Sequence, residues 1–406
     1  VTDHLDEPTV VTVRAERLVA GGAALSRQAD GRIVLVEGAI PGEQLEVEVV
    51  QRQGADRGRI VRILEASPSR IEPRCTHVAE GCGGCNLAMM AEEAQPPAKL
   101  DLVVDALRRV GRWTEPNVRL GPALEPWGFR TTLRVATIGG RAGLRRLNSH
   151  GLVELDHCII THPLLDELVN LGEFGTATEV VLRVGAATGE RLALVSPNAT
   201  GVRLPSDVLV VGEDELSSGK RAWIHEEVAG RRWRISAQSF FQTRPDGAAA
   251  LVDVVRSMTE DVFSSGPGSM IDAYCGVGLF AGSLLEGRDG WSGIAAERGR
   301  SSIADARVNL DHLDVRVVGT SIERLRAPKV DLVVADPSRA GLGRRAVKVL
   351  TATQPSRFVL VSCDPAAAGR DLSLLVAEGY RPVESVVLDL FPHTHHTEIV
   401  TRFDRF

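Results

Sequence analysis

The sequence predicts an α/β protein with a small all-β module ahead of it. Three observations carry this reading. From about residue 236, short apolar runs alternate with helix-period segments, the pattern of an open, mostly parallel sheet. Before residue 66, short alternating runs are separated by turn signals at Gly21-Gly22, Asp30-Gly31, Pro41-Gly42 and Gly54, which suits a small closed barrel of the OB type. At 406 residues the chain exceeds the roughly 250–300 that one core serves, so two or three domains are expected. The boundaries read as a barrel over 1–66, a central α+β domain over 67–235 and an α/β domain over 236–406.

Composition narrows the class. An apolar fraction of 44% and a charged fraction of 25% exclude wholesale disorder, a collagen repeat and a small disulfide scaffold. No apolar run approaches the roughly 18 residues that cross a bilayer. The stretch Val1–Pro8 is acidic and polar and does not read as a secretory signal. The expected compartment is the cytoplasm, with no membrane partner. Net charge is −6, yet 43 of the 47 basic residues are arginines. Codon bias explains most of that excess, although arginine also suits phosphate and base recognition.

The elements follow in order. Strands are expected at Val10–Ala15, Ile33–Glu37, Gln44–Val50 and Gly58–Leu64. A proline-punctuated link, Ser67 to Arg74, leads into Cys75-Thr76-His77-Val78-Ala79-Glu80-Gly81-Cys82-Gly83-Gly84-Cys85. Three cysteines within 11 residues point to one metal centre, and Cys158 can complete a set of four. Four thiolates fit zinc or an iron–sulfur cluster equally well. His77 and His157 are spare ligands. Pro96-Pro97 then opens a helix carrying Leu100, Val103, Val104 and Leu107 at helical spacing.

The stretch from Lys99 to His150 holds ten basic residues (Lys99, Arg108, Arg109, Arg112, Arg119, Arg130, Arg134, Arg141, Arg145 and Arg146) against four acidic ones. Trp113, Trp127 and Phe129 are interleaved. Local positive charge with aromatic platforms matches a nucleic-acid groove as well as it matches a solvated face over core tryptophans. On the first reading, substituting the arginines from Arg108 to Arg146 is expected to weaken nucleic-acid binding.

In the C-terminal part, strands are expected at Ser269–Tyr274, Gly293–Ala296, Val315–Val318, Val330–Ala335, Arg357–Ser362, Val383–Leu390 and Glu398–Arg402. Helices are expected at Gly247–Val262, Leu279–Glu286, Ser301–Leu310, Arg344–Thr353 and Pro365–Glu378. Ligands of such a sheet bind at the carboxyl ends of its strands. The first strand ends in Asp272-Ala273-Tyr274-Cys275-Gly276-Val277-Gly278, whose glycines let a ligand approach the backbone. Glu297 ends the next strand, where an acid can bind ribose hydroxyls. No third glycine completes a dinucleotide frame, and no Gly-Lys-Ser/Thr makes a P-loop, so S-adenosylmethionine is favoured over NAD. Cys363 ends a later strand just before Pro365, and a helix N-terminus there is expected to lower the thiol's pKa. Asp336 ends the neighbouring strand. The final hairpin brings Glu398 with His393, His395 and His396. Metal binding by these histidines is disfavoured, since neighbours on a strand point to opposite faces.

Together these motifs resemble the S-adenosylmethionine-dependent RNA 5-methyluridine (uracil-C5) methyltransferases. The resemblance rests on Phe240-Phe241-Gln242, Asp272 to Gly278, Glu297, Asp336-Pro337-Ser338-Arg339-Ala340-Gly341, Ser362-Cys363-Asp364-Pro365 and Phe391 to Glu398. It implies a class I (Rossmann-like) methyltransferase domain at the C-terminus. The barrel looks like the family's TRAM domain, and Cys75, Cys82, Cys85 and Cys158 resemble its [4Fe–4S] ligands. Carried over residue by residue, it makes Cys363 the nucleophile and Glu398 the base. Gln242, Tyr274, Gly276, Gly278 and Glu297 fall in the cofactor site, and Asp336 is a cofactor- or substrate-binding group. The implied partner is RNA, ribosomal before transfer RNA, and the protein is expected to be a monomer. Arg244 departs from the asparagine of many members, and Leu279 from a polar contact in some. The competing readings are a methyltransferase for a non-RNA substrate and a non-catalytic RNA-binding iron–sulfur protein.

Overall fold

The computed structural model describes residues 9–52, 54–147 and 149–406; the acidic stretch 1–8 lies outside the described residues. Five strands close into a barrel: β1 (Thr9–Leu18), β2 (Ala24–Arg27), β3 (Ile33–Val36), β4 (Gln44–Val50) and β5 (Asp56–Glu65), in the order β1-β2-β3-β5-β4 with β4 pairing back to β1. Period-2 alternation builds it. Leu45, Val47 and Val49 of β4 point inward, while Glu46 and Glu48 pair outside with Arg62 and Arg59 of β5. The short β2 is the one barrel strand that the sequence pattern misses.

The chain then forms α1 (Thr76–Ala79), α2 (Gln95–Arg109) and β6 (Val118–Leu120). Next come β7 (Thr132–Ile138), β8 (Arg141–Arg145), β9 (Leu152–Glu154), α3 (Pro163–Leu171), β10 (Glu173–Phe174), β11 (Glu179–Val184), β12 (Arg191–Ser196), β13 (Val202–Arg203), β14 (Val208–Gly212) and α4 (Glu213–Ser217). Six of these strands make a sheet in the order β14-β12-β11-β7-β8-β9, with Leu165, Leu168 and Val169 of α3 in its core. The hairpin β15 (Trp223–Val228) and β16 (Arg231–Ser236) follows, and its Trp233 is buried against the C-terminal helices.

The C-terminal part alternates α5 (Pro245–Phe263), β17 (Gly268–Ala273), α6 (Leu279–Leu285), β18 (Trp291–Glu297), α7 (Arg300–Asn309), β19 (Val315–Gly319), β20 (Leu332–Ala335), α8 (Gly343–Thr351), β21 (Arg357–Ser362), α9 (Pro365–Ala377), β22 (Tyr380–Leu388) and β23 (Glu398–Arg405). These strands form one eight-stranded sheet, β19-β18-β17-β20-β21-β23-β22-β6. Pairing is parallel from β19 to β21, and β23 then runs antiparallel to β21 and β22. Apolar residues of α5 and α6 cover one face and those of α2, α8 and α9 the other. The α/β fold with its N-terminal barrel is therefore as the sequence predicts.

One feature differs from the sequence reading. β6, from within the segment 67–235, is the edge strand of the C-terminal sheet and pairs parallel to β22. α2 packs on that sheet as well, with Val103 and Leu107 fully buried beside Leu372 and Leu375 of α9. Among the described residues no helix is long and apolar enough to cross a membrane.

Candidate functional site

Parallel strands align their carboxyl ends, so one crest of the sheet collects the loops after β17, β18, β20 and β21. Cys275 N donates to Ala296 O at 3.1 Å and Asp336 N to Ala273 O at 3.2 Å, which locks the three neighbouring strand ends in register. The turn after β17 holds three left-handed residues: Tyr274 (φ +63°), Gly276 (+55°) and Gly278 (+97°). Gly278 caps α6, and a Cβ there would lie 2.9 Å from Leu310 Cδ1. Glu297 faces the same turn. Its carboxylate accepts from Gly276 N (3.2 Å), Arg298 N (2.8 Å) and Gly299 N (2.7 Å). Tyr274 packs against the core, and burial first, then Glu323 and Asp371, push its phenol to about 12.

Asp272 belongs with these residues, although the sequence reading quoted it without a role. One carboxyl oxygen accepts from Ala281 N at 2.8 Å, and the other is buried with no partner. Burial raises the acid to about 7. The signal for it was there: an acid at the end of an otherwise apolar strand. Gln242 is buried just ahead of α5. Arg244 is buried too, but its contacts are structural. It pairs with Asp246, donates to Glu125 O at 2.9 Å and lies over the Phe129 ring at 4.4 Å. Leu279 is buried in the core at the start of α6.

Cys363 follows β21, and Asp364 caps α9 by accepting from Ala367 N at 2.7 Å. β23 runs back beside β21 with Ile399 opposite Ser362, so Glu398 arrives at the same crest. Asp336 acts on both groups electrostatically. The structure thus brings Cys363, Glu398 and Asp336 together. It corrects the expected thiol. Burial, then Glu398 and Asp336, push Cys363 up to about 12, opposed by Arg339. A helix N-terminus, worth about 1 kcal/mol, is outweighed by desolvation beside two acids. Glu398 is raised well above its usual range, by burial and then by Asp336. Asp336 is itself raised to about 7, by burial and then by Asp272.

The histidines lie in the β22–β23 loop rather than on a strand, which corrects the expected geometry. His395 and His396 do not point apart; their ring centroids are 4.1 Å from each other. Each histidine has a partner. His393 stacks on Trp127 at 4.0 Å, His395 meets Asn86 at 3.0 Å, and His396 Nε2 meets Arg339 at 3.3 Å.

Cys75, Cys82, Cys85 and Cys158 all line one cavity of about 200 Å³, with Arg74, Trp127 and Arg130 in its wall. None of the four forms a disulfide. Burial pushes Cys158 to about 12 and raises Cys82 and Cys85, and their charges oppose one another. A bound cation reverses both effects, so the donor set fits a metal centre. His77, Asp156 and His157 form the one described group whose ligand atoms fall within 4.8 Å of one another, but Asp156 Oδ1 already bonds both histidines.

The basic stretch is not one groove. Lys99 is buried and paired with Asp389, and Arg130 is half-buried in the cavity wall beside Cys85 and Cys158. Arg134 pairs with Glu179, and Arg141 and Arg146 bind backbone carbonyls. Arg108, Arg112 and Arg145 are exposed. Trp113 packs on the core and Phe129 is buried, so neither is an open platform.

No protein-family model matches the chain. An uncharacterized RNA methyltransferase of Streptomyces avermitilis is 33% identical over 415 residues, covering 94% of each chain. A 23S rRNA (uracil(1939)-C(5))-methyltransferase of Methylococcus capsulatus is 31% identical over 423 residues, covering 93% of each. Among solved structures, the Pyrococcus abyssi tRNA (uracil-54, C5)-methyltransferase in complex with S-adenosyl-L-homocysteine matches with a TM-score of 0.74 at 24% identity, over 96% of this chain and 100% of that one. That likeness concerns the fold.

Proposed function

The chain belongs to the RNA uracil-C5 methyltransferase family, and from that premise we propose that it methylates C5 of a uridine in RNA through a covalent Cys363–uracil adduct, with Glu398 as the base. The observation that carries this is the meeting of Cys363 and Glu398 at one crest of the sheet, beside the Gly276–Gly278 turn. The near full-length relative named for 23S rRNA favours ribosomal over transfer RNA.

The residues fit S-adenosylmethionine. The left-handed turn at Gly276 and Gly278 leaves the backbone open to a ligand, and the orphaned Asp272 oxygen is a buried acceptor beneath it. Glu297, Gln242, Tyr274 and Asp336 would line its site. When bound, it supplies an electrophilic methyl group. The protein's own work is to activate the uracil. C5 is a poor nucleophile until Cys363 releases its thiol proton to solvent and the resulting thiolate bonds to C6, moving the ring electron pair toward C5. C5 then takes the methyl group. Glu398 removes the C5 proton, the electron pair restores the C5–C6 double bond, and the S–C6 bond breaks to free the thiolate. The target base has to leave its stack to reach Cys363.

The four cysteines would hold a [4Fe–4S] cluster. Four thiolates lining one cavity suit such a cluster, and by donor count they would also serve zinc. Its ligands tie the α1 loop to Cys158 of the central segment, a structural task apart from the methyl transfer.

The test maps 5-methyluridine in total RNA from cells with the gene, without it, and with Cys363→Ala. One or more ribosomal sites should disappear in the deletion and stay absent with Cys363→Ala. Full modification by Cys363→Ala would sink the adduct mechanism.

A further inference from the structure

Leu388 and Glu398 are the closing pair of the β22–β23 hairpin, and residues 389–397 between them form neither helix nor strand. The pairing of β23 sets the Glu398 backbone, and inside the loop Thr394 N and Oγ1 donate to Phe391 O at 3.2 and 2.8 Å and His396 N donates to Thr394 Oγ1 at 3.2 Å, but none of these bonds ties the loop to the rest of the molecule. Its anchors come from a distant part of the chain, the start of α2. Lys99 Nζ donates to Asp389 Oδ1 at 2.6 Å and to Phe391 O at 3.0 Å. Gln95 Oε1 accepts from His393 N at 2.6 Å, and its amide reaches Met90 O at 2.8 Å. Leu87 N donates to His393 O at 2.8 Å. His393 sits at φ +64°, a conformation that a non-glycine residue holds only when its surroundings enforce it. Here its N–H and its C=O are both tied.

The choice of side chains is informative. Gln95 and Lys99 are each 1% exposed. A buried ammonium is unfavourable unless paired, and a helix could be docked there by leucine instead. Both oxygens bound by Lys99 lie on the loop, one of them next to the Leu388–Glu398 pair. A base must meet its proton within hydrogen-bond reach, and a misplacement of about 1 Å can slow such a step by about 100-fold.

We propose that Gln95 and Lys99 are positioning residues for Glu398: their bonds to Asp389, Phe391 and His393 fix the hairpin loop so that the carboxylate meets the C5 proton. This rests on the reading of Glu398 as the base. It also moves Lys99 out of the RNA-binding stretch, where its charge had placed it.

The chemistry supplies a readout that loss of structure would not give. When proton removal fails after methyl transfer, the S–C6 bond cannot break and protein stays joined to RNA. The full chain carrying Lys99→Met, Gln95→Met or Glu398→Gln is incubated with labelled S-adenosylmethionine and total RNA from cells lacking the gene. Denaturing gels then resolve the joined species. Lys99→Met and Gln95→Met should transfer one methyl group, release it about 10- to 100-fold more slowly than the unaltered protein, and accumulate the joined species. S-adenosylmethionine binding should be unchanged. Turnover without accumulation would overturn the proposal. So would loss of the first methyl transfer in a variant that melts normally, because the residues would then act before the base. If Lys99→Met does not fold, Gln95→Met, which buries no charge, decides alone. If Glu398→Gln accumulates no joined species, the base assignment itself fails and the positioning role falls with it.

Discussion

Asp336 shows what the site demands of single residues. The residue is half-buried, and desolvation followed by the nearby Asp272 raises its carboxyl to about 7. Below pH 4 this acid is neutral in both folded and unfolded chains. Between about pH 4 and 7 only the unfolded chain ionises, so stability falls, and above the folded pKa the loss is complete. Asp336→Asn removes that penalty. The variant should gain roughly 2–4 kcal/mol at pH 8 and nothing at pH 4, while methyl transfer falls. Thermal melts at the two pH values, with an RNA methylation assay, check it. The identities at the crest were legible because each stands at the end of an apolar run. Their ionisation was not. Reading Cys363 as a lowered thiol used the one helix it precedes, whereas its state depends on burial first and then on Glu398 and Asp336, which belong to other strands.

At the scale of elements, the turn between β17 and α6 carries the next prediction. Gly278 adopts φ +97°, and a Cβ would also press on Leu310 Cγ at 3.0 Å. Gly278→Ala should destabilise the fold by about 1–3 kcal/mol and weaken S-adenosylmethionine binding, as calorimetry would show. Binding as tight as in the unaltered protein would place the cofactor elsewhere. Strands of the parallel sheet were readable since burial on both faces leaves continuous apolar runs. β2 and β6 were not. β2, Ala24–Arg27, buries Ser26 beside Ala24 and Leu25 and so shows no alternation, while β6 has only three residues and is identified by its partner β22 rather than by its own sequence. The histidine loop was misread for the same reason: a strand pattern cannot show where pairing stops.

For the whole molecule, net charge proved a poor guide to local charge. The ten basic residues of 99–150 are divided among α2, β6, the cysteine cavity, the central sheet and the loops beside them. Sequence adjacency suggested one surface; folding used part of the charge internally. The cysteines were the opposite case, since their clustering in sequence survives as one cavity joined by Cys158 from afar. Protein purified without oxygen should absorb visible light, and Cys85→Ser should lose that absorption together with thermal stability. A colourless preparation holding about one zinc per chain would reject the cluster.

The placement of β6 has a bearing on how the chain is made. Asn117, just before this strand, bonds to Val383, 266 residues later. Synthesis proceeds at about 5–20 residues per second, so on the order of tens of seconds separate the appearance of the two strands. Through that interval α2 and β6 emerge with their apolar faces uncovered, while the barrel ahead of them can already close. The catalytic sheet is therefore completed by its oldest strand, and only once β22 has emerged. Such long-range closure makes the interval before β22 appears the period of greatest exposure to aggregation.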